Sequence, residues 1–155
     1  MNTLIIYDSS YGNTELIARA IAEAMGEHGE ISVRSAGEVD TLAKEGLDLL
    51  VIGAPTQRHG LPPTIRDLLE GTPPRTLRDL RALAFDTRYH HAKLITGSAA
   101  NEIGKRLREL GCHLLAPPES FFVGGAEGPL EPGEEDRARA WAARSLGRVR
   151  RSAST

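Results

Sequence analysis

The sequence predicts an α/β fold, a three-layer α/β/α sandwich around a five-stranded parallel sheet, and three observations carry that prediction. Short runs of aliphatic and β-branched residues alternate along the chain with segments whose apolar residues recur at helical spacing. Several of these runs are apolar at successive positions, the pattern of strands covered on both faces. The chain is 155 residues long, with 40% hydrophobic and 26% charged residues, which suits one globular domain with a sizeable core.

Leu4 to Tyr7 is the first such run, and Asp8 to Asn13 supplies the Ser, Gly and Asn of a sharp turn. From Thr14 the period changes: Leu16, Ile17, Ala20, Ile21, Ala24 and Met25 mark a helix with one apolar face. After the Gly26 to Gly29 turn, Ile31 to Ser35 alternates as a second strand, and Asp40 to Glu45 reads as a weak helical turn. Leu47 and Leu49 to Ile52 form a third strand, ended by Gly53, Ala54 and Pro55. Pro62 and Pro63 open a helix that carries Ile65, Leu68 and Leu69 and stops at Gly71. Beyond a connector with Leu77 and Leu80, Ala82 to Phe85 is the fourth strand. Ser98 caps a helix whose Ile103, Leu107 and Leu110 face inward, and Gly111 ends it. His113 to Ala116 and Ser120 to Val123, on either side of Pro117-Pro118, read as halves of an interrupted fifth strand. In the last helix, Glu134 to Leu146, Trp141 stands at helical spacing with Ala138, Ala142 and Ser145, as a core anchor would. The domain is thus expected over residues 1–146, and the basic tail over residues 147–155 is expected to fray.

A net charge of −2 gives no general attraction to nucleic acid. No apolar run is long enough to span a bilayer, and the N-terminus lacks a basic stretch followed by an apolar one. The expectation is a cytoplasmic protein, monomer or weak homodimer, with no nucleic-acid or membrane partner. The single Cys112 excludes an intramolecular disulfide and a multi-cysteine metal site, and reads as a buried thiol. His90 and His91 have no carboxylate at ligand spacing, so no metal is expected. No nucleophile–base pair or paired carboxylates stand out as an independent catalytic centre.

The turn after the first strand is the first candidate site. Ser9, Ser10, Tyr11, Gly12, Asn13 and Thr14 place hydroxyls and backbone N–H groups at the start of a helix, where the dipole favours an anion. The same residues also fit a plain strand-to-helix turn with Asn13 or Thr14 as N-cap. The string from Ile5 to Ile21, with Tyr7, Ser9, Gly12, Thr14, Ala18 and Ile21, resembles the phosphate-binding loop of the flavodoxin family. Neither the G-x-G-x-x-G fingerprint nor the Walker pattern is present. Tyr11 departs from the small hydroxyl residue of many flavodoxins.

The resemblance implies the strand order 2-1-3-4-5, with FMN at the carboxyl ends of strands one, three and four. It implies that the first loop holds the FMN phosphate. The loop after strand three, with Pro55, Thr56, Gln57, His59 and Gly60, would then flank the ring. The usual Trp is missing there, and His59 reads equally as a flavin contact or an exposed loop residue. The loop from Asp86 to Gly97, with Thr87, Arg88 and Tyr89, would border the pyrimidine edge, and Tyr89 is the stacking candidate. These two loops carry Arg58, His59, Arg88, His90, His91 and Lys93 against Asp86 as their only carboxylate, so a less negative flavin potential than an acidic flavodoxin's is expected. Two functions fit: an FMN-binding electron carrier or small reductase component with an unidentified redox partner, or an interaction or regulatory domain of the same fold with weak or lost flavin binding.

Overall fold

A computed structural model describes residues 1–57, 60–89 and 98–153. The strands are β1 (Asn2–Tyr7), β2 (Glu30–Ser35), β3 (Leu49–Pro55), β4 (Arg81–Arg88), β5 (His113–Leu114) and β6 (Glu119–Phe122). The helices are α1 (Asn13–Met25), α2 (Pro63–Glu70), α3 (Ala99–Glu109) and α4 (Glu134–Ala153). All named strands pair in parallel, in the order β2-β1-β3-β4-β5, and β6 also pairs with β4. Arg81 and Ala82 of β4 meet β5, and Phe85 to Arg88 meet β6. The fifth position is therefore one strand in two halves, and the order is the one the resemblance implies.

The alternation of side chains along each strand divides the core into two layers. Ile52 and Ala84 pack with Ile65 and Leu69 of α2 and Ile103 and Leu107 of α3. Val51 and Phe85 pack on the other face with Ile17 and Ile21 of α1 and with Trp141 and Ala142 of α4. Trp141 stands edge-on to Phe85 and Phe121, at centroid distances of 6.5 and 5.8 Å. Gly53 makes room for this cluster, since a Cβ there would lie 2.0 Å from the Phe85 ring. Removing the indole by Trp141→Ala would cost about 3–5 kcal/mol. Outside the cluster, Arg137 lies 4.6 Å from the Phe121 centroid and pairs with Glu134, which accepts from the Phe122 amide and ties β6 to α4.

The structure departs from the sequence reading in three places. Asp40 to Glu45 is not helical; a 3-10 turn covers Ala36–Glu38, and the connection to β3 is anchored by the buried Leu42. Strand β4 runs on through Asp86, Thr87 and Arg88, which were expected in the loop. Asp86 and Thr87 are paired on both sides, Thr87 with Pro55 and with Phe121, and Arg88 is paired with Phe122; this ladder outweighs the low strand propensity of Asp86. Helix α4 continues to Ala153, past the end expected at Leu146. Arg148 holds it, donating to the Leu115 carbonyl at 2.6 Å.

Cys112 is buried as expected, and burial pushes its thiol up to about 11. No helix among the described residues is long and apolar enough to cross a membrane.

Candidate functional site

Strand β1 stays in the ladder one residue past its end, because the Asp8 amide donates to the Gly53 carbonyl at 3.1 Å. The chain then turns at Gly12, whose φ of 88° is left-handed and disfavours a side chain. Ser9 Oγ stabilises the turn by accepting from the Gly12 amide at 2.9 Å. Helix α1 follows with no side-chain cap. The plain N-cap reading therefore does not hold, for both candidate caps are engaged elsewhere. The hydroxyls of Thr14 and Thr87 share a buried hydrogen bond of 2.8 Å, and Asn13 Nδ2 donates to the Glu127 carbonyl at 3.1 Å. The N–H groups at the start of α1 thus keep their pull on an anion.

The end of β3 is fixed to the end of β4. Thr56 N donates to the Thr87 carbonyl at 2.9 Å, and Thr56 Oγ1 donates to Asp86 Oδ2 at 2.9 Å. Gly60, with a left-handed φ of 96°, donates to the Gln57 carbonyl at 3.2 Å. Asp86 is fully buried, and its Oδ2 also accepts from Ser98 Oγ at 2.7 Å and from the Ala100 amide at 2.9 Å. That carboxylate finishes the start of α3, together with Ser98 Oγ, which accepts from the Asn101 amide.

Between these strand ends lies a cleft of about 390 Å³. Ser9, Ser10, Tyr11, Asn13 and Thr14 line it from the first loop, and Pro55, Thr56 and Gln57 from the second. Thr87, Arg88 and Tyr89 line it from the end of β4. Three expected site residues are not among those lining it: Gly12, at the left-handed start of α1; Gly60; and Asp86, whose Oδ2 is held by Thr56, Ser98 and the Ala100 amide. His59, like Arg58, His90, His91 and Lys93, lies outside the described residues.

Val123 and Ala126 also line the cleft, and the sequence reading missed them. They belong to the glycine-rich run after β6, where Gly124, Gly125 and Gly128 permit a close backbone approach. Gly128 shows it, since a Cβ there would lie 2.6 Å from Asn13 Oδ1.

Two features make the cleft suited to a planar anion. Among the described residues, the exposed large hydrophobic side chains are Tyr11, Leu16 and Tyr89, and both tyrosines are at the cleft. Arg88 also lines it, and is buried with Nε and Nη2 lacking hydrogen-bond partners. No group of three or more His, Cys, Asp or Glu among the described residues could hold a metal ion.

A family model described as Flavodoxin matches residues 5–141. No curated protein sequence matches the chain. Among solved structures, Flavodoxin 1 from Bacillus cereus is similar at 22% identity and a TM-score of 0.79, covering 95% of this chain and 98% of that one. A flavodoxin from the domain Archaea is similar at 17% identity and a TM-score of 0.77, covering 97% and 99%. A WrbA-like flavodoxin from Agrobacterium tumefaciens has 18% identity and a TM-score of 0.70, covering 97% and 98%. At these identities the structural likeness carries the fold alone.

Proposed function

Since the chain belongs to the flavodoxin family, we propose that it binds FMN in this cleft and passes electrons to a protein partner. The observation that carries the proposal is the open start of α1, where no side chain satisfies the first-turn N–H groups and Ser9 and Ser10 stand beside them. A terminal phosphate suits that site, because several neutral donors and a helix dipole can hold a dianion without a cation in the loop.

Tyr11 and Tyr89 would hold the ring through apolar contact, and the buried Thr14–Thr87 hydrogen bond fixes the distance between phosphate loop and ring wall. The Asp86 carboxylate keeps Thr56 and the start of α3 in place behind that wall. FMN supplies the ring that accepts and returns electrons. The protein would act as a monomer or weak homodimer, and the partner would approach over the exposed Tyr11 and Tyr89.

Absorption spectra of the purified chain mixed with FMN, followed through a cycle of chemical reduction and reoxidation, test the proposal. The expected result is a perturbed flavin spectrum that survives gel filtration and cycles reversibly. A chain that releases all FMN on the column at micromolar protein would instead favour an interaction domain that has lost its flavin.

A further inference from the structure

Of the six side chains with positive charge or the capacity for it that the sequence places near the cleft, Arg88 is the one among the described residues, and it is unusually placed. It is the last residue of β4 and lines the cleft, with only 3% of its surface exposed. Yet Nε and Nη2 have no hydrogen-bond partner. A buried guanidinium ordinarily has a carboxylate in its fork, because a desolvated charge without one is strongly unfavourable.

Asp86 lies two residues earlier on the same face of the strand. Its Oδ2 is occupied by Thr56, Ser98 and the Ala100 amide, and its Oδ1 has no partner. The carboxylate is therefore engaged with α3, and the arginine keeps donors in reserve.

We propose that Arg88 sets the redox preference of the site, making the cleft bind reduced, anionic flavin at least as tightly as oxidised, neutral flavin. The inference rests on the FMN reading of the cleft. Reduction adds two electrons and one proton to the neutral ring and leaves one negative charge. The electrons come from a reductant, dithionite in the test and a reduced protein partner otherwise. A unit charge about 12 Å away, at an effective dielectric of about 20, shifts such an equilibrium about tenfold. Asp86 opposes this field, and its Oδ2 is already held by Thr56, Ser98 and the Ala100 amide, so Arg88→Met removes the arginine's share alone.

Oxidised and dithionite-reduced FMN are titrated separately, without oxygen, into the wild type, Arg88→Met and Arg88→Lys. The wild type is expected to bind the reduced form at least as tightly as the oxidised one. Arg88→Met should weaken the reduced form about tenfold relative to the oxidised form. That equals a potential about 30 mV lower for the two-electron couple. Arg88→Lys, which keeps the charge, should restore most of the ratio. A wild type that holds reduced FMN tenfold more weakly than oxidised FMN overturns the inference with no variant needed. An Arg88→Met protein that weakens both forms equally also overturns it, because only a structural role gives that pattern. Failure of the wild type to bind either form overturns the FMN reading and this inference with it.

Discussion

Helices α1 and α3 begin at the same edge of the sheet, and their first turns are finished in opposite ways. At α3 the protein supplies its own anion: the buried Asp86 carboxylate accepts from the Ala100 amide, and Ser98 Oγ accepts from the Asn101 amide. At α1 it supplies none, and Asn13 and Thr14 are turned to other partners. The two starts differ in where the negative charge comes from. A start already holding a carboxylate has no use for a phosphate, whereas one left open in a hydroxyl-lined cleft does.

The comparison is broken most forcefully at α3. Asp86→Ala removes a buried acceptor from three donors and should destabilise the protein by about 3–5 kcal/mol. Urea unfolding measures this, and a loss below 1 kcal/mol would show that the carboxylate is not what finishes the helix. At α1, the Thr14 hydroxyl can accept from Thr87 and still donate its own proton to a phosphate, so Thr14→Ala should weaken FMN roughly ten- to a hundredfold while changing riboflavin binding little. Its stability loss, read by the same urea titration, should be nearer 1 kcal/mol, the ordinary worth of the hydrogen bond to Thr87. Equal weakening of FMN and riboflavin would assign Thr14 to the wall of the cleft rather than to the phosphate. The smallest effect is expected at the rim. Tyr89→Ala should weaken FMN and riboflavin alike, by about threefold to tenfold, since aromatic contact is worth on the order of 1 kcal/mol beyond area burial. Isothermal titration with both ligands separates this pattern from that of Thr14.

What the sequence made legible was local. The apolar run at Leu4 to Tyr7, the glycine at residue 12 and the helical spacing after Thr14 each declare their structure within a few residues. The α3 cap Ser98 was readable for the same reason. What it concealed depends on partners far along the chain. Thr14 looks like a cap until Thr87, 73 residues away, takes its hydroxyl. Asp86 looks like a loop residue until the ladders of β3 and β6 hold it in a strand and α3 draws in its carboxylate. Charge counting along the loops drew attention to Arg88, but burial without a partner is a property of the packed molecule. Ala126 escaped notice because nothing in its own side chain marks it; Asn13 brings its turn to the cleft by bonding Glu127.

The central claim is that the open start of α1 is a phosphate site, and paired titration of the wild type with FMN and with riboflavin tests it most directly. The two ligands share the ring and differ in the terminal phosphate. With hydrogen bonds to a charged group worth about 1.5–3 kcal/mol each, the account predicts FMN binding at least a hundredfold tighter. Equal affinity for the two would contradict it and leave the first turn of α1 as a turn alone.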